Sequence, residues 1–91
     1  MYKRQVYKIE FTKKATKELK ALDKKIACSL IKKIEVLSKD PYAKNLDIKK
    51  LRNIKNVYRL RYREYRVVYE INNNQLVITV IRVGARGGIY G

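Results

Sequence analysis

The stretch from Val57 to Val83 constrains the fold more than any other part of the chain. VYRLRYR, YRVVYEI and QLVITVIRV follow one another as three segments rich in Tyr and Val, with almost nothing between them. Aromatic and β-branched residues suit a pleated, half-buried surface, so each segment reads as a strand. Links this short leave no length for a crossover, and strands so joined must run antiparallel. Glu64 lies in the first turn. Asn72, Asn73 and Asn74 supply the second, since Asn tolerates the positive φ that hairpin turns need. The prediction is a three-stranded meander.

Upstream the period changes from two to 3.6. Val6 to Phe11 alternates as a short first strand, and Thr12 then stands where a helix N-cap is expected. Ala15, Leu19 and Leu22 form one stripe of an amphipathic helix. Asp23 reads as a second N-cap. From Lys24 to Lys39, Ile26, Leu30, Ile34 and Leu37 repeat the stripe, widened by Ala27, Ile31 and Val36, and Pro41 ends it. Two helices joined so closely fold back as a hairpin. Residues 40–56 read as an irregular connection. The expected fold is therefore α+β, with an N-terminal strand, a helical hairpin on one face of a sheet, then the meander. The 91 residues suffice for one small domain, 1–91.

Charge narrows the function classes. Twenty-three Lys and Arg against eight Asp and Glu give +15. So basic a domain needs a counter-charge, and a phosphate backbone is the expected one. No His is present and Cys28 is the single cysteine, which excludes a disulfide framework, the common zinc sites and His-dependent triads. Cys28, among apolar helix positions, is expected in the core. The start MYKRQVYKIEF lacks the apolar core of a signal peptide, and no stretch is apolar enough to span a membrane. A cytoplasmic protein without membrane partner, metal or cofactor is expected.

Period-two alternation puts Tyr58, Leu60 and Tyr62 on one face of a strand and Arg59, Arg61 and Arg63 on the other. If the helices cover the apolar face, the other holds guanidiniums about 6.5–7 Å apart, twice the rise per residue. That is close to the phosphate spacing of an extended single strand. The planar fork of Arg grips two phosphate oxygens at once.

The ordered set LRNIKNVYRLRYREYRVVYEI and VITVIRVGARGGIY resembles the core of RelE-type toxins, within the RelE/ParE superfamily of type II toxin–antitoxin systems. The match runs from Leu51 to Tyr90. The resemblance implies the α+β fold read above and a ribosome-dependent endoribonuclease that cleaves mRNA in the decoding site, metal-independently, by attack of a ribose 2′-OH on the adjacent phosphate. It implies catalytic roles for Arg59, Arg61, Arg66, Arg86 and Tyr90. Arg52, Arg63 and Arg82 join them as expected RNA contacts. Expected partners are mRNA, the ribosome and a cognate antitoxin acidic in its binding segment. Some members carry a C-terminal helix, which a sequence ending at Gly91 is not expected to have.

The chain departs from the family at two strand positions. Well-known members place lysines where Arg59 and Arg61 stand, and an arginine is not deprotonated at ordinary pH. Tyr90, Glu64, Asp47 or a ribosomal group is then left to accept the proton. Two other readings compete. One is a ParE-like toxin that inhibits DNA gyrase, disfavoured by Arg86 and Tyr90; the other is a non-catalytic RNA- or ribosome-binding module.

Overall fold

In the computed structural model, residues 6–85 are described. A strand β1 (Lys8–Phe11) leads into helices α1 (Lys13–Lys20) and α2 (Lys24–Lys39). Four strands follow: β2 (Asp47–Lys50), β3 (Val57–Tyr62), β4 (Tyr65–Asn72) and β5 (Val77–Ala85). They form one five-stranded sheet in the order β1-β5-β4-β3-β2, antiparallel except where β1 lies parallel to β5. The α+β arrangement and the meander are as expected from the sequence. Strand β2 is not: it lies within the stretch read as irregular. Its segment DIKK offers one apolar residue, and pairing with β3 rather than a local pattern makes it a strand.

Both caps form. Thr12 accepts the Ala15 N–H at 3.0 Å, and its hydroxyl donates to the Ile81 carbonyl at 2.9 Å, tying the start of α1 to β5. Asp23 accepts the Lys25 N–H at 3.2 Å. Helix α2 stops at Lys39 because Asp40, preceding Pro41, is extended (φ −150°, ψ 90°). Leu30, Ile34 and Leu37 of α2 and Ala15 of α1 pack on Leu60, Val67, Tyr69, Ile71, Ile78, Val80 and Val83 of the sheet. Both helices thus cover one face. The stripe is narrower than expected, since Ile31 and Val36 remain about two-fifths exposed at 38% and 39%. Cys28 is also exposed, contrary to the core position expected for it. At about 100° per residue it sits some 200° around the helix from buried Leu30.

The turns correct two expectations. Between β4 and β5 positive φ falls on Leu76 (56°), not on Asn72, Asn73 or Asn74. Asn72 instead uses its side chain, whose Oδ1 accepts the Gln75 N–H at 3.0 Å and closes the loop before β5. Arg63 has φ 58° in the β3–β4 turn, so alternation stops at Tyr62. Among the described residues, no helix is long and apolar enough to cross a membrane.

Candidate nucleic-acid interface

The sheet face away from the helices carries the arginines, and the register fixes their neighbours. Arg61 lies directly opposite Arg66, and beyond them Asp47 on β2 faces Arg61 while Gly84 on β5 faces Arg66. One transverse row therefore reads Asp47, Arg61, Arg66, Gly84. The next row on this face holds Lys49, Arg59 and Val68. Directly opposed residues have Cβ atoms about 4.5–5.5 Å apart, and like charges so placed repel. The one acid in the row cannot neutralise both guanidiniums: Asp47 Oδ2 stands 4.0 Å from Arg61 Nε, with the two side chains 65% and 57% exposed. Gly84 has no side chain to crowd Arg66.

Burial adds a second constraint. Arg59 Nε and Arg66 Nη1 are both shut off from water and have no hydrogen-bond partner among the described residues. Arg59 lies opposite Val68 in the register, and Val68 and Val57 are buried with Leu51 and Ile81 packed against them. A buried donor left unpaired costs about 1–3 kcal/mol, more when it is charged. An anion set between these arginines supplies the missing acceptors. Arg59, Arg61, Arg66 and Lys49 thus form a cationic platform on this face, with the charge and the donor geometry that suit a phosphate.

The other sequence-derived positions are dispersed. Arg63, turned out of the strand alternation, sets its guanidinium 5.4 Å from the centre of the Tyr62 ring, and Lys33 Nζ lies 4.8 Å from the same ring. Tyr62 packs against the helix-side core, so the row expected to end in Arg63 ends at Arg61. Arg82 turns towards α1. A bulge at Val68/Tyr69 sets the two β4 residues against three on β5, and between core residues Val80 and Val83 the strand bears Ile81 and Arg82. Arg82 Nη2 donates to Glu18 Oε2 at 2.9 Å and its Nε to both carboxylate oxygens at 3.1 and 3.2 Å, while the Val83 N–H donates to Oε1 at 2.9 Å. Arg52 is exposed in the connection between β2 and β3. Arg86 and Tyr90 lie outside the described residues.

Sequence reasoning misses Lys49, and names Asp47 only as a candidate proton acceptor without placing it on this face. Asp47 and Lys49 reach this face only because β2 pairs with β3, and no local periodicity announces that strand. Of the candidate proton acceptors, Asp47 shares the arginine row, whereas Glu64 lies in the turn beyond it.

Comparison with known proteins agrees with this architecture. Residues 9–90 match the family described as the ParE toxin of type II toxin–antitoxin systems, parDE. A RelE-like toxin protein of Escherichia coli is 35% identical over 82 residues, covering 88% of this chain and 83% of that protein. The mRNA interferase toxin RelE of E. coli strain K12 is 30% identical over the same span, with the same coverage. Among solved structures, the archaeal RelE–RelB complex of Pyrococcus horikoshii OT3 superposes with a TM-score of 0.79 at 27% identity, over 91% of this chain and 98% of that one. Isolated E. coli RelE gives 0.77 at 29%, over 88% and 84%. The chain belongs to the RelE/ParE superfamily of toxins of type II toxin–antitoxin systems.

Proposed function

We propose that the chain is the RNA-cleaving toxin of its pair, a ribosome-dependent mRNA interferase whose working surface is the helix-free face of the sheet. The observation that carries this reading is the register pair Arg61–Arg66, with Arg59 alongside and buried guanidinium nitrogens lacking acceptors among the described residues. A relative at 30% identity named as an mRNA interferase supports the choice of substrate. The scissile phosphate sits between Arg59, Arg61 and Arg66, which neutralise the charge that grows on it in the transition state. The ribose 2′-oxygen bonds to phosphorus, the bond to the 5′-oxygen breaks, and a 2′,3′-cyclic phosphate and a 5′-hydroxyl result. Asp47, at the end of the row, takes the 2′-OH proton as general base. By the family resemblance Arg86 steadies the phosphate or the leaving 5′-oxygen, and Tyr90 stacks on a base or donates a proton. A cognate antitoxin, acidic where it binds, neutralises the chain, as the RelE–RelB complexes of P. horikoshii and E. coli suggest by analogy.

The ParE family match keeps gyrase inhibition as the second reading. A reconstituted translation system separates the two. The proposal expects the wild-type chain to cut translated mRNA and to leave gyrase supercoiling unchanged. Intact mRNA with inhibited gyrase would establish the ParE-like reading instead.

A further inference from the structure

Strand β2 is an edge strand, and its alternation links the arginine platform to a second feature on the opposite side of the sheet. Lys49 pairs with Arg59 and faces the platform, whereas Ile48 pairs with Leu60 and Lys50 with Tyr58, on the helix side. There Tyr42, Ala43, Lys44, Leu46, Ile48, Lys50 and Tyr58 line a hollow of about 360 Å³. Its lining combines apolar, aromatic and cationic side chains, and no acid is among them. Asp40, next to it in sequence, accepts the Tyr42 N–H at 3.2 Å.

Tyr42 is the unusual component. It is 47% exposed, yet it is held from several sides. Its ring meets Tyr58 edge-on at 5.7 Å and 75°, and Tyr58 stacks at 6.0 Å and 21° on fully buried Tyr69. Its hydroxyl accepts from Asn73 Nδ2 at 3.3 Å, and Asn73 Oδ1 accepts from the Tyr7 hydroxyl at 2.5 Å. An exposed aromatic ring fixed in place offers a planar surface with little ordering cost. Single-stranded nucleic acids use such rings as stacking platforms, with nearby cations on the phosphates.

We propose that the Tyr42–Tyr58 hollow is a second RNA subsite, in which an unpaired nucleobase stacks on Tyr42 while Lys44 and Lys50 hold the flanking phosphates. A strand leaving the arginine platform by Lys49 crosses the β2 edge and meets Lys50 one residue along. The occupant is therefore the same single-stranded RNA, gripped on both sides of an edge strand. RNA as the ligand rests on the function proposed above, whereas base stacking at Tyr42 is separately testable.

The test uses a 2′-O-methyl oligonucleotide, which has no free 2′-OH and cannot be cut, and a matched strand with abasic positions. Binding is followed by fluorescence anisotropy for wild type, Tyr42→Ala, Tyr42→Phe and Lys44→Ala/Lys50→Ala, with thermal melts to confirm folding. Tyr42→Ala weakens the base-containing strand by about tenfold or more, the scale of one lost stack, and leaves the abasic strand unchanged. Tyr42→Phe binds as wild type, and the lysine pair weakens both strands. Equal affinity of Tyr42→Ala for the base-containing strand overturns the proposal. So does an equal loss on the abasic strand, or an effect of Tyr42→Ala confined to antitoxin binding. Cleavage plays no part in this readout: a chain that spares translated mRNA yet binds through Tyr42 refutes the interferase reading alone.

Discussion

Replacing Glu18 by Ala removes one carboxylate that serves two neighbouring residues of β5. Arg82 loses three hydrogen-bonded contacts at 2.9–3.2 Å, and the Val83 N–H, with no β1 residue opposite it, loses its acceptor. The pair is largely shielded, with side chains 26% and 24% exposed. Breaking a fully buried pair costs about 3–5 kcal/mol and an exposed one about 0.2–1. With a quarter of each side chain in water, we expect about 2–3 kcal/mol, backbone donor included. For a domain of this size that lowers Tm by about 10–20 °C. Urea denaturation of wild type, Glu18→Ala, Arg82→Met and the double variant gives the coupling energy directly.

The pH dependence is a second constraint on the same pair. Burial pushes the Glu18 carboxyl up, but hydrogen bonds from Arg82 and the Val83 N–H, with the charges of Arg82 and Lys14, together bring it below its ordinary 4.5. A depressed carboxyl contributes stability that is present above its unfolded pKa and is lost as pH falls through the folded one. The gap between wild type and Glu18→Ala should therefore hold from pH 7 to about 5 and shrink below 4.5. A cost below about 0.5 kcal/mol at pH 7, or a gap that widens in acid, refutes the reasoning.

Three further outcomes follow from the packing and the site. Leu60→Ala, at a fully buried position in the core between sheet and helices, should cost about 2–5 kcal/mol in denaturation experiments. Cys28, exposed on α2, should react with a thiol reagent in the native protein nearly as fast as in the unfolded chain; protection would put it back in the core. Asp47→Asn should slow single-turnover RNA cleavage by about 10²–10⁴-fold, with RNA affinity held or raised. An unchanged rate would move the proton acceptor elsewhere.

Much of this molecule is legible in its sequence, because its strongest patterns are local. The helix stripes through Leu19, Leu30 and Leu37 and the Tyr–Val alternation of β3 and β4 each repeat within a few residues, and both caps are single-residue signals. What the sequence does not show is non-local. Strand β2 exists through its partner β3, so Asp47 and Lys49 cannot be placed on the arginine face from sequence. Arg82 breaks the expected pattern because a bulge shifts the phase of β5, and its partner Glu18 lies 64 residues away. Arg63 departs because the turn begins one residue earlier than strand alternation implies. Arg59, Arg61 and Arg66 are legible as a set, but their opposition across β3 and β4 and the missing acceptors need the register and the burial.

On the proposed function, the arginines of the row owe any action on RNA to where the sheet puts them. Arg66→Ala and Arg63→Ala remove the same charge from the same hairpin, one on the row and one in the turn against Tyr62. Single-turnover cleavage of ribosome-bound mRNA by the two variants tests this positional dependence most directly. Arg66→Ala should lose about 10²–10³-fold in rate, the scale of one transition-state donor removed, while Arg63→Ala stays within about threefold of wild type. Equal losses in the two variants would mean that net charge, not the row, carries the activity, and would contradict the account.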